Sequence, residues 1–307
     1  MPIEKSEWIW LNGKFVPWDD AKTHVLDHGI HYGTGVFEGI RAFETVDGNS
    51  AIFRLEEHVE RLLRSAKALR MAFPYDKEKV KQIIAETVRK NKLEECYIRP
   101  LAWYGYKELG LRAQGLPVNF MVAVWKWESY LGKEGVRAKI STWIRNNPNS
   151  FPNEAKVTGG YVNGMLASEE VRSGGYDEAI MLDQKGFVAE GPGENLFILE
   201  DQRLSTPPLS ASILMGITRD TIMILAKDLG YEVREANITR NRLYNADEAF
   251  FTGTAAGIPT PIYEVDDRKI GNGETGPITK KIQSEYSVVI RGKKQKYKHW
   301  LTYLYKK

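Results

Sequence analysis

The chain has 307 residues, 42% of them hydrophobic and 27% charged, which suits one large or two ordinary globular domains with buried cores and excludes a disordered chain. A formal net charge of +3 is small for this length and argues against nucleic acid or an anionic membrane as the main partner, leaving small anions open. The single cysteine, Cys96, cannot close an internal disulfide, the opening residues carry neither a basic nor an apolar leader segment, and no apolar run approaches the roughly 20 residues of a membrane span. A reduced, cytoplasmic protein is expected, without membrane, nucleic-acid or metal partners.

In chain order, Trp8 to Leu11 and Lys14 to Pro17 flank Asn12-Gly13, a turn pair that tolerates positive φ at both positions, so the chain opens on a β-hairpin. A second hairpin turns at Asp47-Gly48. Val59, Leu62, Leu63, Ala66 and Leu69 recur at helical spacing, and Val80, Ile83, Ile84, Thr87 and Val88 repeat the pattern behind Asp76 as N-cap. Strands over 97–104 and 119–127 complete a small α+β domain of residues 1–128, followed by a polar, glycine-bearing linker at 129–135. The second domain, 136–307, is expected to run from a strand at 136–143, through a loop with Lys156, to a helix at 162–172 closed by Gly174-Gly175. Strands at 178–183, 187–189 and 196–199 follow, then a helix from Ile217 to Leu229 stopped by Gly230, strands near Val233 and Phe250, and a helix from about Ile278. Strand runs broken by single helices predict an α+β architecture. The tail from Arg291 carries seven Lys or Arg and no acid, but Tyr297, Trp300, Leu301 and Leu304 fall at i, i+3, i+4 and i+7, which predicts a docked terminal helix with wet lysines.

Six segments carry chemistry. A lysine taken alone is a solvated charge, yet an amine forms Schiff bases with carbonyls, and Lys156 is followed at a distance by Glu190-Gly191-Pro192-Gly193-Glu194-Asn195, an acid on a glycine-rich turn. Gly216-Ile217-Thr218 opens a helix whose free N–H groups and positive dipole end suit a phosphate, and Thr252-Gly253-Thr254-Ala255-Ala256-Gly257 leaves amides and hydroxyls unobstructed by large side chains. On the strand around Tyr97-Ile98-Arg99, Tyr97 and Arg99 share one face, and the same parity aligns Phe37, Gly39 and Arg41, with Gly39 leaving a gap for a ligand. Each segment alone also fits an ordinary capped helix, a tight turn or a sheet surface.

Taken together, and in this order, the segments 31–41, 97–100, 155–156, 190–197, 216–219 and 253–256 resemble the branched-chain amino acid aminotransferases of the fold type IV pyridoxal phosphate enzymes, nearly end to end. That resemblance implies a two-domain fold type IV architecture whose large domain is an α+β pseudo-barrel. It also implies ping-pong transamination of leucine, isoleucine and valine with 2-oxoglutarate. By position it makes Lys156 the Schiff-base lysine and proton shuttle, Glu190 the partner of the pyridine nitrogen and Tyr161 a partner of the phenolic oxygen, with Glu194 and Asn195 beside them. Arg61, Gly216, Ile217, Thr218 and Thr254 would hold the phosphate. Phe37, Gly39, Arg41, Tyr97, Arg99, Trp127, Tyr130, Thr254 and Ala255 would contact substrate, with Tyr32, Leu109 and Leu111 reaching in from a neighbouring subunit of a homodimer or larger homo-oligomer. Gly257 stands where relatives commonly carry an acid, which bears on the shape of the carboxylate-binding turn. The rivals are a D-amino-acid or (R)-amine transaminase or an aminodeoxychorismate lyase of the same fold, sharing Lys156 and Glu190, and a non-catalytic phosphate-ligand protein, which has no use for Lys156.

Overall fold

The computed structural model describes residues 3–127 and 135–305. The expected linker falls almost wholly on residues outside these, as does Tyr130. The chain divides into two compact units, one of Met1–Glu128, Ala155–Gly159 and Val288–Lys307, the other of Ser129–Glu154 and Gly160–Ser287.

In the first unit β1 (Trp8–Leu11) and β2 (Lys14–Pro17) form the opening hairpin, with φ of 46° at Asn12 and 98° at Gly13, the left-handed pair that a two-residue turn requires. After the short α1 (His28–Tyr32) come β3 (Gly35–Phe37), β4 (Ile40–Glu44) and β5 (Ser50–Phe53), then α2 (Leu55–Ala68), α3 (Lys77–Lys90), β6 (Cys96–Tyr104) and β7 (Val118–Trp125). Strands β3 and β4 both pair β6 antiparallel, Phe37 opposite Leu101 and Ile40 opposite Ile98, so one register runs through both. The break between them faces Pro100, which has no N–H to give; its carbonyl accepts the Glu38 N–H at 2.9 Å instead. One sheet face, with Ile98, Ala102, Phe120, Val122 and Val124, is closed to solvent. The alternate residues Tyr97, Arg99, Leu101 and Trp103 point the other way.

The second unit contains β8 (Val136–Ile140), α4 (Tyr161–Ser173), β9 (Glu178–Leu182), β10 (Val188–Glu190), β11 (Asn195–Glu200), β12 (Arg203–Thr206), α5 (Ile217–Asp228), β13 (Glu232–Glu235), α6 (Arg240–Tyr244), β14 (Glu248–Thr252), β15 (Thr260–Val265), β16 (Arg268–Lys269) and most of α7 (Pro277–Ile290). Its sheet runs β10-β9-β8-β15-β14-β11-β12-β13, and β10 also pairs β11, which closes the first six strands on themselves. Inside this unit Ile180, Val188, Leu196, Ile198, Phe251 and Val265 share one buried cluster.

The tail departs from the expected helix. Residues Gln295–Trp300 form a 3-10 helix and Leu301–Tyr303 form a strand, β17, that pairs β5 in the first unit. The spacing of the apolar residues serves this arrangement equally well, because i and i+3 eclipse in a 3-10 helix. Tyr297 and Trp300 do so, their rings stacked with centroids 4.5 Å apart, and all four of the expected stripe residues are buried. What ends the helix is the open edge of β5: the Arg54 N–H takes the Trp300 carbonyl at 2.7 Å, and its guanidinium lies 4.8 Å over the Trp300 ring.

The N-cap of α3 is as expected, Asp76 Oδ1 accepting the Lys79 N–H at 2.8 Å. Replacing Asp76 with alanine should lower stability by about 1 kcal/mol, seen as a fall in the urea midpoint with an unchanged slope.

Candidate active site

Lys156 belongs to the first unit although its neighbours in sequence belong to the second. Residues 155–159 run against Gly33–Phe37: Val157 forms an antiparallel bridge with Val36, the Phe37 N–H donates to the Lys156 carbonyl at 3.1 Å, and the Gly159 N–H donates to the Gly33 carbonyl at 3.0 Å. Thr158 Oγ1 donates to the Gly33 carbonyl at 2.7 Å and accepts the Gly35 N–H at 3.1 Å. The close approach explains the glycines. Gly33 has a φ of +64°, and a Cβ there would lie 2.7 Å from the Gly159 Cα.

This stitching brings two of the expected residues round the ring of a third. Lys156 Nζ lies 4.9 Å, and the Arg99 guanidinium 4.7 Å, from the centre of the Phe37 ring. Arg99 Nη2 also donates to the Tyr97 hydroxyl at 2.8 Å, while its Nε is buried without a partner, and among the described residues no carboxylate is within ion-pair reach of it. Tyr97 in turn sits 5.2 Å from the Trp127 ring. The gap expected above Gly39 is filled by the same Tyr97 hydroxyl, 2.1 Å from where a Cβ at 39 would be, so the glycine makes room for a tyrosine rather than for a ligand. Arg41 is tied to the backbone, its Nη2 donating to the Trp127 carbonyl at 3.1 Å.

Arg61 lies behind this wall. Its Nε and Nη2 donate to the two oxygens of Glu38 at 2.7 and 2.8 Å, and Glu38 Oε2 also meets His58 Nδ1 at 2.7 Å, all three side chains buried. Burial alone would raise the Glu38 pKa, but the Arg61 charge and hydrogen bonds, with the hydrogen bond from His58, outweigh it and hold the carboxyl well below the usual range. Burial pushes His58 down, against the pull of Glu38, and keeps it neutral. Tyr32, Leu109 and Leu111 come together elsewhere on this unit. The Tyr32 hydroxyl accepts the Gly110 N–H at 3.1 Å, the Gly110 carbonyl meets His28 Nε2 at 2.8 Å, and Leu109 and Leu111 are 53% and 90% exposed.

The second unit gathers the other set. Glu190 ends β10 and is buried; Arg145 Nη2 pairs its Oε1 at 2.9 Å, Asn195 Nδ2 donates to its Oε2 at 2.9 Å, and the Leu214 N–H reaches both oxygens at 3.1 and 3.2 Å. Glu194 folds back on its own turn, Oε2 accepting the Gly193 N–H at 3.1 Å. Gly216 is the N-cap of α5 with no side-chain cap, and a Cβ there would fall 1.8 Å from Asn195 Oδ1, so glycine alone lets the helix start lie against the residue that holds Glu190. Thr218 is buried in the first turn of α5, and Tyr161 is the first residue of α4. Arg219, next in the motif, serves the fold: it donates to Thr206 Oγ1, to the Pro207 carbonyl and to Glu235. Thr254 and Ala255 lie in a turn closed by the Gly257 N–H on the Gly253 carbonyl at 3.2 Å, and Gly257 has a φ of +82°, a conformation that an acid there would adopt only under strain.

Glu38, His58, Ser65 and Arg145 were not singled out from sequence. Arg145 stands in an aperiodic loop and acquires meaning only once the fold sets it against Glu190. The donor set fits a planar aldehyde cofactor bearing a phosphate. A buried acid is paired with an arginine and takes an amide, an uncapped helix start is kept clear by a glycine, and Thr252 Oγ1, next to the Gly253 turn, is buried with no partner among the described residues.

The Glu38 cluster predicts an acid sensitivity. Glu38, with its folded pKa depressed, contributes stability fully above its unfolded pKa of about 4.3 and loses it as pH falls below that, and His58, held neutral, adds to the slope from about pH 6.5 downward. Glu38→Gln should cost about 3–5 kcal/mol at neutral pH by stranding the buried Arg61, and the gap from wild type in urea melts should narrow below about pH 4.

Residues 35–264 match the family model of amino-transferase class IV. The chain is 48% identical to a branched-chain-amino-acid aminotransferase of Pseudomonas aeruginosa over 298 residues, 96% of each chain, and 43% identical to that of Escherichia coli over 306 residues, 98% of each. Its fold matches the crystal structure of the branched-chain aminotransferase from the thermophilic archaeon Thermoproteus uzoniensis with norvaline, with a TM-score of 0.94 and 46% identity over 98% of this chain and 100% of that one. With the matched segment spanning most of the chain and these relatives aligned almost end to end, the chain belongs to the class IV aminotransferases, among the branched-chain-amino-acid aminotransferases.

Proposed function

We propose that the protein is a pyridoxal 5'-phosphate-dependent branched-chain-amino-acid transaminase. It moves the amino group of leucine, isoleucine or valine to 2-oxoglutarate, yielding the branched 2-oxo acid and L-glutamate in two half-reactions of a ping-pong cycle. The observation that carries this reading is the placing of an amine, Lys156, and a guanidinium with no acid among the described residues, Arg99, round the one Phe37 ring.

When bound, the cofactor supplies an electron-poor ring that takes up the electron pair left as the substrate Cα loses its proton. Lys156 accepts that proton at Nζ and returns it, acting as base and then acid in each half-reaction. Glu190, paired with Arg145 and taking the Asn195 amide, keeps a proton on the ring nitrogen. The α5 start at Gly216, Ile217 and Thr218, with Thr254 and Arg61, holds the phosphate, and Tyr161 partners the phenolic oxygen. Arg99 pairs the γ-carboxylate of glutamate, while Phe37, Tyr97 and Trp127 present apolar surface to a branched side chain. One pocket wall thereby accepts both substrates without burying an unpaired charge. Gly39 and Arg41 act by shaping this wall, and Ala255 and Tyr130 contact substrate.

The grouped and exposed Tyr32, Leu109 and Leu111 support a homodimer or larger homo-oligomer in which they complete a neighbour's site. No described helix is long and apolar enough to cross a membrane, and together with a lone buried cysteine this supports a cytoplasmic location.

Borohydride treatment of the holoenzyme should leave a pyridoxyl group on the peptide containing Lys156. Lys156→Ala should take up no such label and should lose at least about 10²-fold in kcat, with phosphate binding retained. Arg99→Ala should raise the KM for 2-oxoglutarate about 30-fold, the worth of a ~2 kcal/mol charge-assisted pair, and that for leucine far less; equal rises for both would remove Arg99 from the carboxylate site.

A further inference from the structure

The backbone of Lys156 is held at both of its polar groups. The Phe37 N–H takes its carbonyl at 3.1 Å, and its own N–H donates to Ser65 Oγ at 2.9 Å. Ser65 is 1% exposed and sits on α2, where His58, Arg61 and Ser65 follow at i, i+3 and i+7 and so share a face. Glu38 fixes the first two of these residues, which makes the helix a rigid mount for the third. A serine within a helix can turn its oxygen to the preceding turn of its own helix; this one receives the amide of a residue far away in sequence.

We propose that Ser65 is a positioning residue for Lys156. It anchors the lysine's amide so that the only freedom left between backbone and Nζ is in the side-chain torsions, and it thereby sets where the amine stands. This rests on Lys156 being the reactive amine, as proposed above. Without the Ser65 oxygen, the N–H of Lys156 lacks its acceptor on α2, and residues 155–157 shift to find another, carrying Nζ with them.

The test uses the pyridoxal-phosphate-loaded full chain. Its readouts are the pH midpoint of the visible absorbance band, which reports protonation of the cofactor-linked Lys156 nitrogen, and kcat and KM with leucine. Ser65→Ala and Ser65→Cys, the latter similar in size but a poor acceptor, should each move the midpoint by about half a pH unit or more. They should also lower kcat about tenfold with KM changed by less than about twofold. Ser65→Thr, which keeps the hydroxyl, and Ala66→Gly, which loosens α2 without touching Lys156, should keep the wild-type midpoint. An unmoved midpoint in either hydroxyl-deleting variant, or an equal shift in Ala66→Gly, overturns the proposal; if Ser65→Ala does not fold, Ser65→Cys decides alone. Borohydride labelling separates the two readings. Label away from Lys156 in the wild type sinks the assignment of the amine, whereas label on Lys156 in every variant with an unmoved midpoint sinks only the role of Ser65.

Discussion

A carboxylate buried without solvent is the constraint on which the first unit turns. Glu38 can stay ionised there only because Arg61 meets both its oxygens and His58 meets one, and those partners are in place only if α2 lies against the break between β3 and β4. The break exists because Pro100 cannot donate across the sheet. Once helix and strands are locked in this way, Ser65 and the Phe37 amide form two fixed points, and the segment with Lys156 is laid across them. A sheet irregularity, an ion cluster and the placing of the amine are thus one structural problem solved once.

The arginines divide by what they are already bound to. Arg61, Arg145 and Arg219 are buried or nearly so and each already meets an acid, Glu38, Glu190 and Glu235, and for the first two pairs the arginine offsets the cost of a buried carboxylate. Arg99 has aromatic faces and a hydroxyl but no acid among the described residues. A guanidinium in that state is the group able to accept a visiting carboxylate and release it again, since no described acid competes for it. Such a distinction cannot be drawn from a list of motif residues, in which Arg99 and Arg219 look alike.

Much of the fold was legible because its signals are local. The Asn12-Gly13 turn, the Asp76 cap and the periodic apolar positions of α2 and α3 each depend on a few neighbouring residues, and all are present. The alternation that put Tyr97 with Arg99 and Phe37 with Arg41 also holds, since a shared register needs only strand parity. What sequence could not show is what depends on partners far away. The tail becomes a strand because β5 has an open edge, the space over Gly39 is filled by a tyrosine from the next strand, and Arg145 matters only beside Glu190. The attachment of 155–159 to the first unit is of the same kind, its neighbours in the chain all lying in the second.

The pairing of β17 with β5 has a consequence for how the molecule is made. Ribosomal synthesis delivers β5 long before Leu301–Tyr303, so the sheet of the first unit waits with an unpaired edge while about 250 further residues are added, a matter of tens of seconds at ordinary elongation rates. During that interval its other late strip, 155–159, arrives midway. The first unit in sequence is therefore the last whose sheet is completed, and its growing edge is where a nascent chain of this protein most needs shielding from its neighbours.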